Sequence, residues 1–140
     1  MGLSSAHKAV RTFKLNRIRS AEMSDKLFSN DGPLELDLAE YIGCAWSMIP
    51  EGKMYHVRLR FAPKVANSVA EVQWHKTQKV TRNPDGSATV DFRVDGLGEI
   101  TWWILGYGDQ VKVLSPAELR ETIVSIARKM VEISNTDPRQ

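Results

Sequence analysis

The chain has 140 residues, of which 42% are hydrophobic, so it is long and apolar enough for one packed domain. It contains no run of about 18 apolar residues and no apolar secretory leader, which predicts a cytoplasmic protein with no membrane-spanning helix. The net charge of +2 is unevenly spread, because residues 1–27 hold six basic and two acidic side chains. This distribution suits an anionic partner, although a solvated strand can have the same composition.

Residues 10–20, VRTFKLNRIRS, are predicted to form a single β-strand. From residue 13 the alternation places Phe13, Leu15 and Arg17 on one face. An arginine on a mainly apolar face needs a partner of opposite charge.

A turn is predicted at SNDGP, residues 29–33, and it marks a candidate domain boundary. A helix follows, with Asp37 at its N-cap and Glu40 three residues later, and it is closed by Pro50 and Gly52. Its apolar positions have helical spacing: Leu38, Tyr41, Ile42, Ala45, Trp46 and Ile49.

Residues 54–114 show a regular succession of strand and helix patterns. The predicted elements are a strand at 54–61, a helix from Pro63 with Val65, Ala66, Val69 and Val72 on its apolar side, strands at 76–82 and 88–94 joined by the turn NPDG, a helix at 98–106 and a strand at 111–114. The order β-α-β-β-α-β predicts an α+β fold, a ferredoxin-like sandwich with two helices on one face of a four-stranded antiparallel sheet.

Alternation also predicts which side chains the two helices leave uncovered. The inner face would hold Tyr55, Val57, Leu59, Phe61, Val80, Val90, Phe92, Val94, Val111 and Val113. The outer face would hold His56, Arg58, Arg60, Lys79, Asp91, Arg93 and Lys112. Such a cationic face can hold phosphates, although solvation of one face, or docking of a flanking helix on it, explains the same pattern.

The last predicted helix begins at residue 116, behind the capping box Ser115-Pro116-Ala117-Glu118. Its apolar positions, at 4-3-4-3 spacing, favour packing on a sheet or on a dimer partner: Leu119, Ile123, Ile126, Met130 and Ile133. Residues 135–140 are predicted to be a frayed tail.

The sequence offers few reactive groups. Its three histidines have no second ligand at metal-binding spacing, and GLGEI lacks the lysine of a phosphate-binding loop. Cys44 is the only cysteine and lies in an apolar pattern, which favours a buried, inert thiol. We therefore predict a protein that is not an enzyme and needs no cofactor or metal.

Several motifs, in order, resemble one family. They are VRLRFAP at 57–63, WHKTQ at 74–78, DGS at 85–87, WILGYG at 103–108 and VLSP at 113–116 followed by Leu119-Arg120. Together they resemble the C-terminal extension, or WCX domain, of WYL-domain transcriptional regulators. The stretch from Arg11 to Ile18 is similar to the last strand of the WYL domain, an Sm-like β-barrel.

The resemblance implies three regions: a residual WYL strand region at 1–30, a WCX-like ferredoxin-fold domain at 34–134, and the tail at 135–140. It implies an effector-sensing and dimerising fragment whose helix-turn-helix DNA-binding partner is absent from this chain. A chain shortened from a longer regulator is one expectation; an inactive remnant and a late-started gene model are others.

The ligand that the resemblance implies is single-stranded nucleic acid or a nucleotide. Arg11 and Arg17 match positions that help to line the WYL ligand site, and Arg58 and Arg60 are added from the predicted cationic face. The alternative is an ACT-like module that binds a small metabolite between paired domains. Salt dependence separates the two, because only nucleic-acid binding weakens steeply with ionic strength.

Overall fold

A computed structural model describes residues 2–4, 6–11, 13, 15–23, 25 and 42–136. The chain divides into two compact units, Met1–Asp37 and Leu38–Gln140. The predicted turn at 29–33, the helix start at Asp37 and Glu40, and the end of the tail lie outside the described residues.

The N-terminal unit contains a short hairpin. Strand β1 (Gly2–Ser4) pairs antiparallel with β2 (Ala9–Arg11), with Leu3 opposite Val10. A 3-10 turn at Leu15–Arg17 follows, and its Ile18 N–H donates to the Leu15 carbonyl.

The prediction of one strand over residues 10–20 was therefore wrong. The strand ends at Arg11, and Leu15, which the alternation placed on one mainly apolar face with Phe13 and Arg17, is 82% exposed. Phe13 and Arg17 are exposed too. A strand continues only where a neighbour supplies ladder hydrogen bonds, and residues 15–18 instead form a local turn closed by the Ile18–Leu15 hydrogen bond.

The second unit has the predicted ferredoxin-like α+β fold. Its strands are β3 (Met54–Phe61), β4 (Lys79–Arg82), β5 (Ala88–Asp95) and β6 (Val111–Ser115), in the antiparallel order β4-β5-β3-β6. Its helices are α1 (Pro63–Glu71), α2 (Gly98–Leu105) and α3 (Ala117–Asn135). The βαββαβ order confirms the predicted fold class.

The alternation predicted for β3 is confirmed. Val57, Leu59 and Phe61 are fully buried, while His56 and Arg58 are exposed. The buried apolar cluster draws on strands β3, β5 and β6 and on all three helices: Val57, Leu59, Phe61, Val69, Val90, Phe92, Val94, Ile100, Ile104, Val113 and Leu119. Val80 is the exception among the predicted inner residues, since it lies on edge strand β4 and is 37% exposed.

Element boundaries differ in small ways. Strand β4 begins at Lys79, three residues later than predicted, and Val72 lies beyond the end of α1 in extended backbone. Pro116 occupies the N-cap of α3 without a side-chain capping bond, and the Ser115 hydroxyl donates to the His56 carbonyl instead. The predicted capping box is therefore wrong, because Ser115 belongs to β6.

The predicted helix does not continue to residue 49. Among its described residues only Ile42 is helical, and Gly43 follows with a φ of +51°, a conformation that ends helices. Ala45 then forms an isolated bridge with Asp95, and the Asp95 N–H donates to the Cys44 carbonyl at 2.7 Å. Long-range backbone bonds have thus replaced the helical ones.

Three carboxylates hold the segment 42–53 against α2 and the end of β5. Glu99 accepts hydrogen bonds from the consecutive amides of residues 47–49, at 2.9–3.2 Å. Asp95 accepts from the amides of Glu51 and Lys53, and Glu51 in turn accepts from those of Leu97 and Gly98. Glu51 thereby caps the N-terminus of α2, whose own N-cap residue, Leu97, has no side-chain acceptor.

Candidate anion-binding face of the sheet

The uncovered face of the sheet carries rows of charged side chains. Strand register places Lys79 opposite Asp91, Asp91 opposite Arg58, and Arg93 opposite His56. Arg60 lies opposite Lys112 on the other side. Side chains on neighbouring strands lie about 5 Å apart and successive ones on a strand about 7 Å, so a single ligand can touch several of them.

Asp91 is the one carboxylate predicted for this face, and two basic residues share it. His56 Nε2 lies 2.9 Å and Arg58 Nε 3.4 Å from the same Asp91 oxygen, Oδ1. The Asp91 side chain is 18% exposed, whereas that of Arg58 is 53% exposed. Asp91 therefore orients Arg58 and leaves much of its guanidinium open to solvent.

Arg60 is bound to the β4–β5 turn. Its Nη2 pairs with Asp85 Oδ2 and its Nε donates to the Ser87 hydroxyl at 3.1 Å. Hydrogen bonds from the Ser87 hydroxyl and amide, together with Arg60, lower the pKa of Asp85 to about 2. Asp85 is thus ionised at neutral pH, and Arg60 stabilises the turn rather than standing free for a ligand.

Three other cations on this face, Lys79, Arg93 and Lys112, form no ion pair with any described residue. Lys79 and Arg93 line a groove of about 380 Å³ together with Lys76 and Thr77, and with the paired residues His56 and Asp91. Unpaired cations beside a groove gain the most from a bound anion, because they have no protein carboxylate to give up.

The predicted site residues divide between the two units. Arg11 ends β2 and Arg17 lies in the 3-10 turn, both exposed, within Met1–Asp37. Arg58 and Arg60 lie two residues apart on β3 in Leu38–Gln140 and point to the same face. The argument that Arg17 needs an anion because it shares an apolar strand face is wrong, since it is not on a strand.

Lys76 and Thr77 were missed as site residues because they were assigned to the start of the strand predicted at 76–82. They form a turn ahead of β4, where the Thr77 hydroxyl donates to the Arg93 carbonyl and accepts from the Arg93 amide. The Thr77 hydroxyl thus forms the two hydrogen bonds that the backbone of a neighbouring strand would otherwise form with Arg93, and it fixes Arg93 beside the groove. The polar run HKTQK at 75–79 was the available signal.

His75 is a structural residue on the covered side of the sheet. It is 7% exposed, stacks on Trp46 and donates from Nε2 to the Ala45 carbonyl at 3.2 Å. Its Nδ1 lies 2.8 Å from the Thr77 hydroxyl oxygen and 3.2 Å from the Thr77 amide nitrogen. Burial lowers the pKa of His75 below its usual 6.5.

His75 should therefore make stability depend on pH. A histidine whose pKa is lowered by folding contributes stability above the pKa of the unfolded chain, about 6.5, and that stability is lost as the pH falls below it. We expect the melting temperature to drop between pH 7.5 and 5.5, and to drop less in His75→Gln. His56→Gln, at an exposed position, is the matched control; an equal loss of pH dependence there would contradict the assignment.

The described residues contain no group of three or more His, Cys, Asp or Glu side chains placed to hold a metal ion. Within the same part of the chain, every helix is too short or too polar to cross a membrane.

The fold and its two faces define a ferredoxin-like α+β domain with a packed side and a charged side. Residues 53–131, more than half of the chain, match the WCX domain, and the chain belongs to the WCX domain family. The match confirms the WCX part of the resemblance seen in the sequence. A search of curated proteins found no match.

Proposed function

We propose that this chain is the C-terminal, effector-sensing and dimerising part of a WYL-type transcriptional regulator, and that it binds single-stranded nucleic acid or a nucleotide. Membership of the WCX family supports the regulatory role. In this proposal residues 1–30 correspond to the end of a WYL domain, and a separate helix-turn-helix partner contacts operator DNA. The chain would act by binding and conformational coupling rather than by catalysis.

The observation that supports a nucleic-acid or nucleotide ligand is the positive charge on the sheet face that no described carboxylate pairs with. Lys79, Arg93 and Lys112 lack ion pairs among the described residues, and Arg58 keeps an exposed guanidinium. A phosphate backbone presents negative charges at regular intervals and suits cations spread over neighbouring strands. Lys79, Arg93 and Arg58 are thus the proposed principal contacts; Arg11 and Arg17 are proposed as further ones, and Arg60 as a turn-stabilising residue.

The proposal predicts a binding defect confined to one face of the sheet. Fluorescence anisotropy of a labelled single-stranded oligonucleotide, titrated with the full chain at low and high salt, should give an affinity that falls steeply with salt. Arg93→Ala and Lys79→Ala should each weaken binding and reduce the salt slope by about one.

Arg82→Ala is the matched control, because it removes the same charge from β4 on the helix side, where Arg82 Nη1 donates to Asn67. It should leave the affinity nearly unchanged. Equal effects of Arg82→Ala and Arg93→Ala would show that the face does not matter and would contradict the proposed site. Binding that does not depend on salt would favour the small-metabolite alternative.

A further inference from the structure

The groove beside Lys79 and Arg93 contains a carboxylate among its cations. Asp91 lines this groove, and its side chain is 18% exposed, so part of it reaches the ligand side of the sheet. A carboxylate repels phosphate, so a groove that bound only phosphate would bind it more tightly without Asp91. Asp91 therefore either serves the fold alone or contacts a part of the ligand other than its phosphates.

The two carboxylate oxygens of Asp91 have different surroundings. The closest contacts of both basic neighbours are to Oδ1, from His56 Nε2 at 2.9 Å and from Arg58 Nε at 3.4 Å. No described residue donates a hydrogen bond to Oδ2, although Lys79 lies opposite Asp91 in the strand register. Oδ2 is not among the buried polar atoms that lack a partner, so it reaches solvent. The contacts of Oδ1 thus fix the carboxylate, and Oδ2 keeps its capacity to accept a hydrogen bond.

A ribose 2′-hydroxyl is a donor that suits this oxygen. The 2′-hydroxyl distinguishes RNA from DNA, and in dinucleotide-binding sites a carboxylate beside the phosphate site accepts its hydrogen bond. In a nucleic-acid strand the 2′-hydroxyl is attached to the carbon next to the one that bears the 3′-phosphate. Lys79 lies opposite Asp91 on the neighbouring strand, about 5 Å away, and Arg93 is two residues along β5, about 7 Å away. A phosphate on either cation therefore brings a ribose hydroxyl near Asp91.

We propose that the ligand of this face is single-stranded RNA, and that Asp91 accepts a hydrogen bond from a ribose 2′-hydroxyl while Lys79 and Arg93 bind the adjacent phosphates. A strand fits better than a free nucleotide, because the cations continue across the sheet to Lys112 on β6. The inference rests on the proposed function and deepens it by naming the sugar. An Asp91 that served only to orient Arg58 would not distinguish ribose from deoxyribose.

The test compares oligonucleotides that differ only at the 2′ position. Labelled oligouridylate and oligodeoxyuridylate of the same length, titrated with the full chain at low salt and followed by fluorescence anisotropy, have the same bases and the same phosphates. The wild-type chain should bind the ribose form more tightly by roughly tenfold, the effect expected of one hydrogen bond to a charged group. A 2′-O-methyl oligouridylate, which has no 2′ proton to donate, should bind as weakly as the deoxy form.

Asp91→Ala should abolish the preference for ribose, whatever the change in overall affinity that follows from removing a negative charge. Asp109→Ala is the matched control, since it removes the same charge from an exposed residue outside the groove and should keep the preference. Circular dichroism shows whether each variant is folded, and the 2′-O-methyl comparison tests the hydrogen bond in the wild-type chain itself.

The outcomes separate this inference from the proposed function. Equal affinity of the wild-type chain for the ribose and deoxy forms overturns the inference and leaves the proposed function standing. A preference that persists in folded Asp91→Ala, or that the 2′-O-methyl form retains, also overturns it. If none of the oligonucleotides binds, the proposed function fails and this inference fails with it.

Discussion

Replacing Phe92 with Ala should destabilise the second unit by about 3–5 kcal/mol, the usual cost of removing a buried phenyl ring. Phe92 is fully buried on the central strand β5. The centroid of its ring lies 5.0 Å from that of Trp46 and 5.8 Å from that of Trp103, both in edge-on geometry. Loss of the ring therefore leaves a cavity between the sheet and these two tryptophans. Urea unfolding followed by tryptophan fluorescence measures the effect. A domain of this size has about 5–15 kcal/mol of stability, so the midpoint should fall sharply.

The neighbouring substitution Arg93→Ala is the control. Arg93 is exposed on the opposite face of the same strand, and its loss should change the free energy of unfolding by less than about 0.5 kcal/mol. The two adjacent positions thus test which face the helices cover. Similar losses at both, or a larger loss at Arg93, would mean that the sheet is covered on the other side.

The two-layer domain could be predicted because its strands have one solvent-exposed face and one buried face. On β3 and β5 the apolar residues recur every second position, and burial follows that period from Val57 to Phe61 and from Val90 to Val94. A one-residue change of register would expose the whole apolar set, so the pattern specifies the pairing strongly. Edge strand β4 follows it less closely, since Val80 has a neighbouring strand on one side only.

Two predicted elements were wrong in extent, the strand at 10–20 and the helix up to residue 49, and both lie in segments whose backbone hydrogen bonds depend on distant parts of the chain. Ala45 and Trp46 do pack inward, as the apolar spacing indicated, but on extended and bent backbone. Glu99, some fifty residues away, accepts the amides that a helix would have used. Near Phe13 the sequence alternates like a strand, yet pairing ends at Arg11. Neither distant acceptors nor the extent of a ladder can be inferred from local periodicity.

The composition of the charged face was predictable, whereas the pairing within it was not. Alternation assigned Arg58 and Arg60 to one face, and the structure places them there. That Arg60 pairs with Asp85 depends on a turn 25 residues away bringing a carboxylate beside β3. The proposed contacts therefore shift toward Lys79 and Arg93, which form no ion pair with any residue that the structure describes, a property that depends on the three-dimensional neighbours.

Replacing Gly96 with Ala should destabilise the same unit by about 2–4 kcal/mol. Gly96 has a φ of +91°, where an L side chain is strained. A Cβ there would lie 2.8 Å from the Glu51 Cβ and would displace the carboxylate that caps α2. Gly108→Ala is the matched control: its φ is +56° and no described residue lies within 4 Å of an added Cβ, so it should cost only the backbone strain, about 1–2 kcal/mol.

A double-mutant cycle separates the two parts of the Gly96 effect. In a Glu51→Gly background the cap is already lost and the obstructing side chain, including its Cβ, is gone, so Gly96→Ala should cost about as much as Gly108→Ala. Urea unfolding of the four proteins gives the coupling energy, which we expect to be about 1–2 kcal/mol. If the cost of Gly96→Ala is the same with and without Glu51, the residue does not cap α2 by the contacts described. In that case the segment 42–53 is held by Glu99, Asp95 and Trp46, and Glu51 contributes little to the fold.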